Sequence, residues 1–482
     1  MHRFCLVLVL IAGCKKSRED SCDDLAKLGV AFADELGKQL GSGKGKSLGA
    51  DPEIKAKLAE FKQQCMQWPE EVFECMRKGD ETSPKCKEAM THVTGRVATD
   101  VAKAPAGPPV VARAKLGEVR WDGMPVSLVA DGTLIAGPKD AIVAVDATGK
   151  ERWQVAISHG NWLLVDNGIV LVGDHETQDL VALDVATGAP KWRVTVPKHA
   201  DEGISDRTTE GAVRVGDRVL VPTADGRFLR VDPAACAKPK QKGCIEQAFA
   251  LAGETIDDPQ LLAIGDDILI GESNAIRRLS PTGKVLAWIH VRDSFGGFAV
   301  GSDQRLAAVM DDELVLFDLP RCDQSEAIAL PRKQGRMYMR GEGECESYSC
   351  TAAPDGCLVA RSELSDVDSH APTILRDGSV MVSNYDGPAR AAINGNKHWA
   401  SEVDSIGPIR EIGDTVVFVS RGDDLEPARV IALDTATGKA KWTSKLDGIV
   451  STVSSTTDVT IATAGPWLVA GAKGDVAWIK LP

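Results

Sequence analysis

Cysteine is the residue type in this chain whose number and spacing bear most directly on chemistry. There are 12: Cys5 and Cys14 at the start, Cys22, Cys65, Cys75 and Cys86 within the first hundred residues, then Cys236, Cys244, Cys322, Cys345, Cys350 and Cys357. Thiols in this number bind metal, attack substrates or pair with one another. A structural metal would want CxxC spacing or a neighbouring histidine cluster, and the sequence has neither. No metal ligands are therefore assigned. With Cys5 and Cys14 set aside, four and six cysteines remain, an even count on each side of a Pro/Ala-rich stretch at 102–112, which fits disulfides in an exported protein. Cys22–Cys65 with Cys75–Cys86 is the favoured pairing of three in the first group. Cys236 and Cys244 bracket a polar loop, 237–243. Closing so short a loop would stabilise by roughly 2 to 3 kcal/mol in the chain-entropy model.

Other reactive types are dispersed. The eight histidines, at 2, 92, 159, 175, 199, 290, 370 and 398, form no pair at helical or strand spacing with a second ligand. His159, beside Asn161 and Trp162, reads as a surface-loop residue or a channel-mouth residue. The pairs Asp257-Asp258, Asp266-Asp267, Asp311-Asp312 and Asp423-Asp424 fall where turns are expected, and turn carboxylates usually cap the backbone. There is no GxSxG, no glycine-rich phosphate loop, no CxxCH haem motif and no calcium loop of regular spacing. No catalytic residue and no cofactor are assigned.

The elements that would position any site come from a repeat. Six times a glycine precedes a tryptophan by four residues: Gly117/Trp121, Gly149/Trp153, Gly188/Trp192, Gly395/Trp399, Gly438/Trp442 and Gly474/Trp478, with Gly283/Trp288 one residue longer. The fullest copies add an aspartate and a threonine: Asp146 and Thr148 before Gly149, Asp184 and Thr187 before Gly188, Asp434 and Thr437 before Gly438. Apolar stretches flank each copy, so each reads as strand, tight turn, strand. Glycine supplies the positive φ of the turn, aspartate accepts from turn amides, and tryptophan offers a flat face to a neighbouring sheet. The repeat's tryptophans, Trp153, Trp192, Trp288, Trp399, Trp442 and Trp478 among them, are expected to be buried in blade packing. Worn copies lie at 279–288, 392–399 and 469–478, and two near 229–251 and 314–330 lack the tryptophan.

This pattern resembles the quinoprotein-like β-propeller repeat, and among those proteins the BamB-type propeller lipoproteins, over residues 116–482. The resemblance implies an all-β propeller of four-stranded blades. Marks near 153, 192, 249, 288, 330, 399, 442 and 478 count eight blades, with seven or nine also compatible. The excess between 330 and 399 reads as a cysteine-containing insertion at 333–369. The stretch 116–121 resembles an outer strand without a blade, able to close the ring on the last one. The resemblance also raises catalysis, since quinoprotein dehydrogenases hold pyrroloquinoline quinone and Ca²⁺ over the channel. They typically carry two adjacent disulfide-bonded cysteines, and no two cysteines here are adjacent.

The first hundred residues are different. Met1 to Gly13 is a short apolar segment with Arg3, a secretory signal too short to stay as a membrane helix. It ends Leu10, Ile11, Ala12, Gly13, Cys14, which resembles a bacterial lipobox and implies that Cys14 becomes a lipidated N-terminus. Residues 14–18 would be the tether, 19–101 a small disulfide-stapled α-helical domain, and 102–115 a Pro/Ala-rich linker. Lys15 rather than aspartate after Cys14 favours the outer membrane. Residues 15–103 carry 16 basic and 16 acidic side chains, so the chain's net −13, less the +1 of Arg3, leaves about −14 on 104–482. That balance excludes nucleic acid as a partner and disfavours a face lying on anionic lipid. The expected role is a non-catalytic, lipid-anchored envelope scaffold that binds other envelope proteins or peptides, with a quinone- or metal-dependent enzyme or channel sensor as the alternative.

Overall fold

The computed structural model describes residues 96–97 and 103–482, apart from 120–122, 160–161, 198–210, 252–258, 273–274, 291–294, 311–312, 324–326, 330–349, 353, 364–370, 384–386, 392–396, 402, 404, 421–426 and 450–458. The signal segment, Cys14, the tether, Cys22, Cys65, Cys75, Cys86, Trp121 and Cys345 lie outside the described residues. Of the expected helical domain only Arg96–Val97 is described, and it is a two-residue strand.

Residues 103–482 form an eight-bladed propeller. Each blade is an antiparallel sheet whose strands run in chain order from the axis outward, and the blades span 126–156, 164–195, 213–250, 260–290, 295–363, 373–401, 405–445 and 459–480. The middle strands are apolar except at their ends because a neighbouring blade covers both of their faces: Ala141–Val145, Ile169–Asp174 and Thr415–Ser420 are buried at every position. Outer strands alternate instead. In Glu151–Ala156 and Pro190–Thr195 only the tryptophan is buried. The core consequently lies between blades. Ile135, Ile142 and Trp153 of blade 1 pack with Val170, Val181 and Leu183 of blade 2, and Leu134 and Val143 pack on the other side with Val469 and Trp478 of blade 8.

Blade 8 is completed by an early part of the chain, but not by the stretch the sequence pointed to. Its outermost strand is Val110–Lys115, paired antiparallel with Asp475–Lys480 from Val110↔Ile479 to Lys115↔Asp475. Alternation of apolar and polar residues in Val-Val-Ala-Arg-Ala-Lys suits an outer strand, whereas the Gly117/Trp121 spacing does not mark a blade. Gly117 lies over the last turn, where its carbonyl would meet a Cβ on Gly474 at 2.2 Å. The Pro/Ala-rich stretch before the strand is docked too: Ser444 Oγ donates to Pro108 O at 2.7 Å and Gly107 N to Thr443 O at 2.7 Å.

This closure corrects the expectation for Trp442. The residue stands on the outer strand of blade 7, Ala440–Lys445, and is only half-buried, whereas Trp153, Trp192, Trp399 and Trp478 are buried. The turn it would cover on blade 8 is that of Gly474, and the Gly117 carbonyl already occupies the space above it. The Trp442 ring lies instead along the docked Pro/Ala-rich stretch, where a Cβ on Gly107 would meet it at 2.5 Å, and packs on the edge of the apolar cluster between blades 7 and 8. Trp288 is also half-buried, with the Arg277 guanidinium 4.8 Å from its ring centroid.

Blade 5 corrects another boundary. Its outer strand is Leu358–Glu363, inside the segment expected to be insertion, and pairs with Glu313–Asp318. The intervening chain leaves after Asp318 and returns before Leu358. On the way it adds two short parallel strands, Ala327–Ala329 and Cys350–Ala352, to the outer edge of blade 4. The outer strand of blade 5 has no tryptophan: Ala360 stands opposite Leu316, where blade 1 sets Trp153 opposite Ala144.

Candidate interaction surface

The repeat residues are occupied in joining blades. Asp146 Oδ1 accepts from Thr148 N at 2.8 Å, Thr148 Oγ1 at 2.5 Å and Lys150 N at 3.1 Å. Asp184 and Asp434 cap their turns alike, from Thr187 N at 3.0 Å and Thr437 N at 2.9 Å. The Thr148 hydroxyl and then the turn amides hold the Asp146 carboxyl below its ordinary range; Lys191 and then Thr187 do so for Asp184. Gly188 and Gly438 take φ of 70° and 69°. Their second duty is clearance: a Cβ on Gly188 would meet the Trp153 ring at 2.7 Å, and one on Gly438 the Trp399 ring at 2.7 Å. Each of these rings also donates Nε1–H to the turn it covers, Trp153 to Val185 O and Trp399 to Thr435 O, both at 3.0 Å. Trp478 donates to Gly132 O at 2.8 Å across the join between blades 8 and 1. In these copies glycine and tryptophan recur together because the tryptophan of one blade sits on a turn of the next. Trp442 is the departure from that rule, since the ring-closing segment has taken its turn.

Where the tryptophan is missing, blade 3 uses Phe249. Its ring lies 2.3 Å from where a Cβ on Gly283 would be and stacks on Phe228 at 4.5 Å. Trp192 and Trp288 face blades whose third turn is built differently. In blade 3 the turn is a short helix, Pro233–Cys236, capped by Asp232 and closed by the disulfide Cys236–Cys244. In blade 5 it is the 3-10 turn Leu319–Arg321, followed by the disulfide Cys322–Cys357 at the neck of the insertion. Asp232 N donates to Cys244 O and Asp318 N to Cys357 O, both at 2.9 Å. Trp192 packs in one cluster with Cys236 and Cys244. An aspartate followed four residues later by a cysteine marks both turns in the sequence. Neither turn carries the Asp-Thr-Gly pattern, so the glycine–tryptophan repeat does not reveal it. Cys350 lies in the added strand on blade 4.

A second set of polar residues ties strands together. Asp131, Asp225, Asp303 and Asp377 each accept from the amide two residues on, and each also meets an arginine: Arg152 at 3.4 Å, Arg227 at 2.8 Å, Arg305 at 3.5 Å, and Arg390 for Asp377. The Asp225–Arg227 pair is buried, and Arg227 Nη1 also donates to Pro197 O at 2.8 Å. His159 is neither a surface-loop nor a channel residue. It is buried, with Nε2 at 2.8 Å from Pro138 O and 3.0 Å from Ala141 O. Asp267 meets Arg278, while Asp257, Asp258, Asp311, Asp312, Asp423 and Asp424 lie outside the described residues.

The first strand of each blade lines the axis, and adjacent first strands are cross-linked by polar contacts. Arg214 of blade 3 pairs with Asp166 of blade 2. The Gln260 amide bridges Phe298 N and O at 2.9 and 2.7 Å. Thr373 Oγ1 donates to Ile409 O at 3.0 Å and Arg376 N to Glu411 Oε2 at 3.0 Å. Among the described residues no three His, Cys, Asp or Glu side chains converge on a common point. Large apolar side chains in open solvent there are Val111 and Val359, one on each of two outer strands. What the described ring offers a partner is therefore polar loop faces and strand edges.

These features agree with known proteins. The crystal structure of BamB from Moraxella catarrhalis superposes with a TM-score of 0.50 at 19% identity, covering 78% of this chain and 98% of that one. A computationally designed protein, Ika8, superposes with a TM-score of 0.51 at 15% identity, covering 76% and 99%. Identities this low speak for the fold alone. No curated protein matches the chain. The family model described as outer membrane protein assembly factor BamB matches residues 94–319 and 347–444, interrupted at the blade 5 insertion. Since that match spans more than half of the sequence, the chain belongs to the BamB family of outer membrane protein assembly factors.

Proposed function

We propose that this chain is a non-catalytic, lipid-anchored scaffold of the bacterial envelope that binds other proteins during outer-membrane protein assembly. The observation that carries the reading is the family match across most of the propeller. It is supported by the use of the repeat's aspartates, glycines and tryptophans in blade-to-blade contacts, which leaves loop faces and strand edges for partners. Cys14 carries the lipid, residues 14–18 are the tether, and 19–101 are the disulfide-stapled helical domain. The propeller works at the outer membrane, on its periplasmic side or at the cell surface.

The test is crosslinking in living cells, then purification through a C-terminal tag, with mass spectrometry and an absorbance spectrum on one eluate. Barrel-assembly or other envelope proteins in near-stoichiometric yield support the scaffold. A quinone-like absorbance or tightly held Ca²⁺ with no protein partner overturns it in favour of an enzyme or sensor. Cys14→Ala should release the protein from the membrane fraction; unchanged fractionation would refute the anchor.

A further inference from the structure

We infer that Arg410 forms a carboxylate-binding site at the inner rim of the ring, where blades 7 and 8 meet. Arginines drawn into this molecule are neutralised: Arg214 by Asp166, Arg227 by Asp225, Arg277 by Glu272 and Arg390 by Asp377. Arg410 is not. It lies on Ser405–Ile412, the axial strand of blade 7, half out of solvent, and no carboxylate among the described residues reaches it. Its polar contact is weak, Nη1 donating to the neighbouring Ile409 O at 3.3 Å. Burial pushes the guanidinium below its ordinary range.

The register fixes the direction. Arg410 is opposite Val417, and opposite residues of an antiparallel pair share a face. Val417 belongs to the apolar cluster shared with Val459 and Ile461 of blade 8, so Arg410 rises on the blade 8 side. Glu411 is on the other side, where it accepts the Arg376 amide of blade 6. A half-buried cation without a counter-charge is unfavourable by itself, so it marks a place where a ligand's charge completes the site. The guanidinium carries five N–H groups in a planar fork, which matches a carboxylate with two parallel hydrogen bonds. The source is either a free small acid or the terminal carboxylate of a peptide entering the channel.

Titration calorimetry on the full chain decides, with succinate, a short peptide bearing a free C-terminal carboxylate, and the same peptide amidated. Saturable heat with succinate or with the free-carboxylate peptide, at least tenfold weaker in Arg410→Gln and partly restored in Arg410→Lys, is the expected result. Binding of succinate assigns the free acid; binding of the free-carboxylate peptide but not of succinate or the amide assigns the chain terminus. Equal affinities in wild type and Arg410→Gln, or no saturable heat with any probe, overturn the site. So does a clear drop in melting temperature for Arg410→Gln, because removal of an uncompensated charge should leave the fold as stable or more so. The site stands apart from the scaffold reading: Arg410→Gln should leave the crosslinked partners unchanged.

Discussion

Asp225 and Arg227 show what a single carboxylate does in this ring. The pair is buried and the arginine spans to Pro197 O. Asp225→Asn would strand a buried guanidinium and should lower stability by about 3 to 5 kcal/mol, read from chemical denaturation. Adding Arg227→Met should recover much of that loss; a double variant no better than the single would show that the pair acts through something other than charge. The same carboxylates set the acid limit. Burial alone would push Asp225 up, but hydrogen bonds from Arg227 and Thr223 outweigh it and hold the group below its ordinary range; Asp131 and Asp377 behave alike through Thr133 with Arg152 and Ser379 with Arg390. A group whose folded value is depressed binds its proton more readily when unfolded. The stability it contributes is complete above the unfolded value, about 4, and is lost as pH falls through the folded one. Melting temperature should therefore fall below about pH 4, and less steeply in Asp131→Asn, whose titration is removed. Little of this was legible beforehand. Asp131 and Asp377 are ordinary turn residues until the outer strand of blade 1 brings Arg152, and the third strand of blade 6 brings Arg390, beside them. Arg227 is two residues from Asp225, but only the fold buries the pair.

At the scale of the element, the turn and the ring that covers it can be separated experimentally. Gly188 and Gly168 have φ of 70° and 74°, but a Cβ at 188 would strike Trp153 while one at 168 would meet nothing within 4 Å. Gly168→Ala should cost about 1 to 2 kcal/mol for its left-handed backbone. Gly188→Ala should cost about 1 to 3 kcal/mol more for overpacking, and that excess should vanish in a Trp153→Ala background. An equal cost for both glycines would deny the blade-to-blade contact. The disulfide turns make a second comparison. Cys236–Cys244 and Cys322–Cys357 close loops with sequence separations of 8 and 35, worth about 2.5 and 3.8 kcal/mol in the chain-entropy model. Serine pairs should lower the melting temperature more at 322/357 than at 236/244. The Asp-Thr-Gly turns were readable because each is local, complete within about ten residues. The disulfide turn of blade 5 was not, since its second cysteine follows an insertion whose length no local pattern constrains.

At the scale of the whole molecule, stability depends on closure. Each blade buries its faces only against two neighbours, so the ring has no independent half, and blade 8 is finished by Val110–Lys115. A chain beginning at residue 103 should unfold in one transition, while one beginning at 116 should melt at lower temperature and self-associate through the bared strand Asp475–Lys480. Calorimetry and size-exclusion chromatography check both; identical behaviour would mean the strand only decorates the edge. The sequence by itself determined the blade type and the residues of the Asp-Thr-Gly turns, because a repeat writes the same local physics many times; it favoured eight blades over seven or nine, and the structure fixed eight. It also carried the exported, disulfide-forming expectation for Cys236, Cys244, Cys322 and Cys357 through simple parity. Only the tertiary structure decided which early strand closes the ring, where the insertion begins and ends, and that His159 is buried. It also left Trp442 half-buried although its local repeat matches that of Trp192, because a segment more than 300 residues away in sequence fills the place over Gly474. It alone showed Arg410 without a counter-charge among the described residues. Those properties depend on contacts between residues far apart in sequence, and no local spacing encodes which distant partner a strand edge or a buried charge will meet.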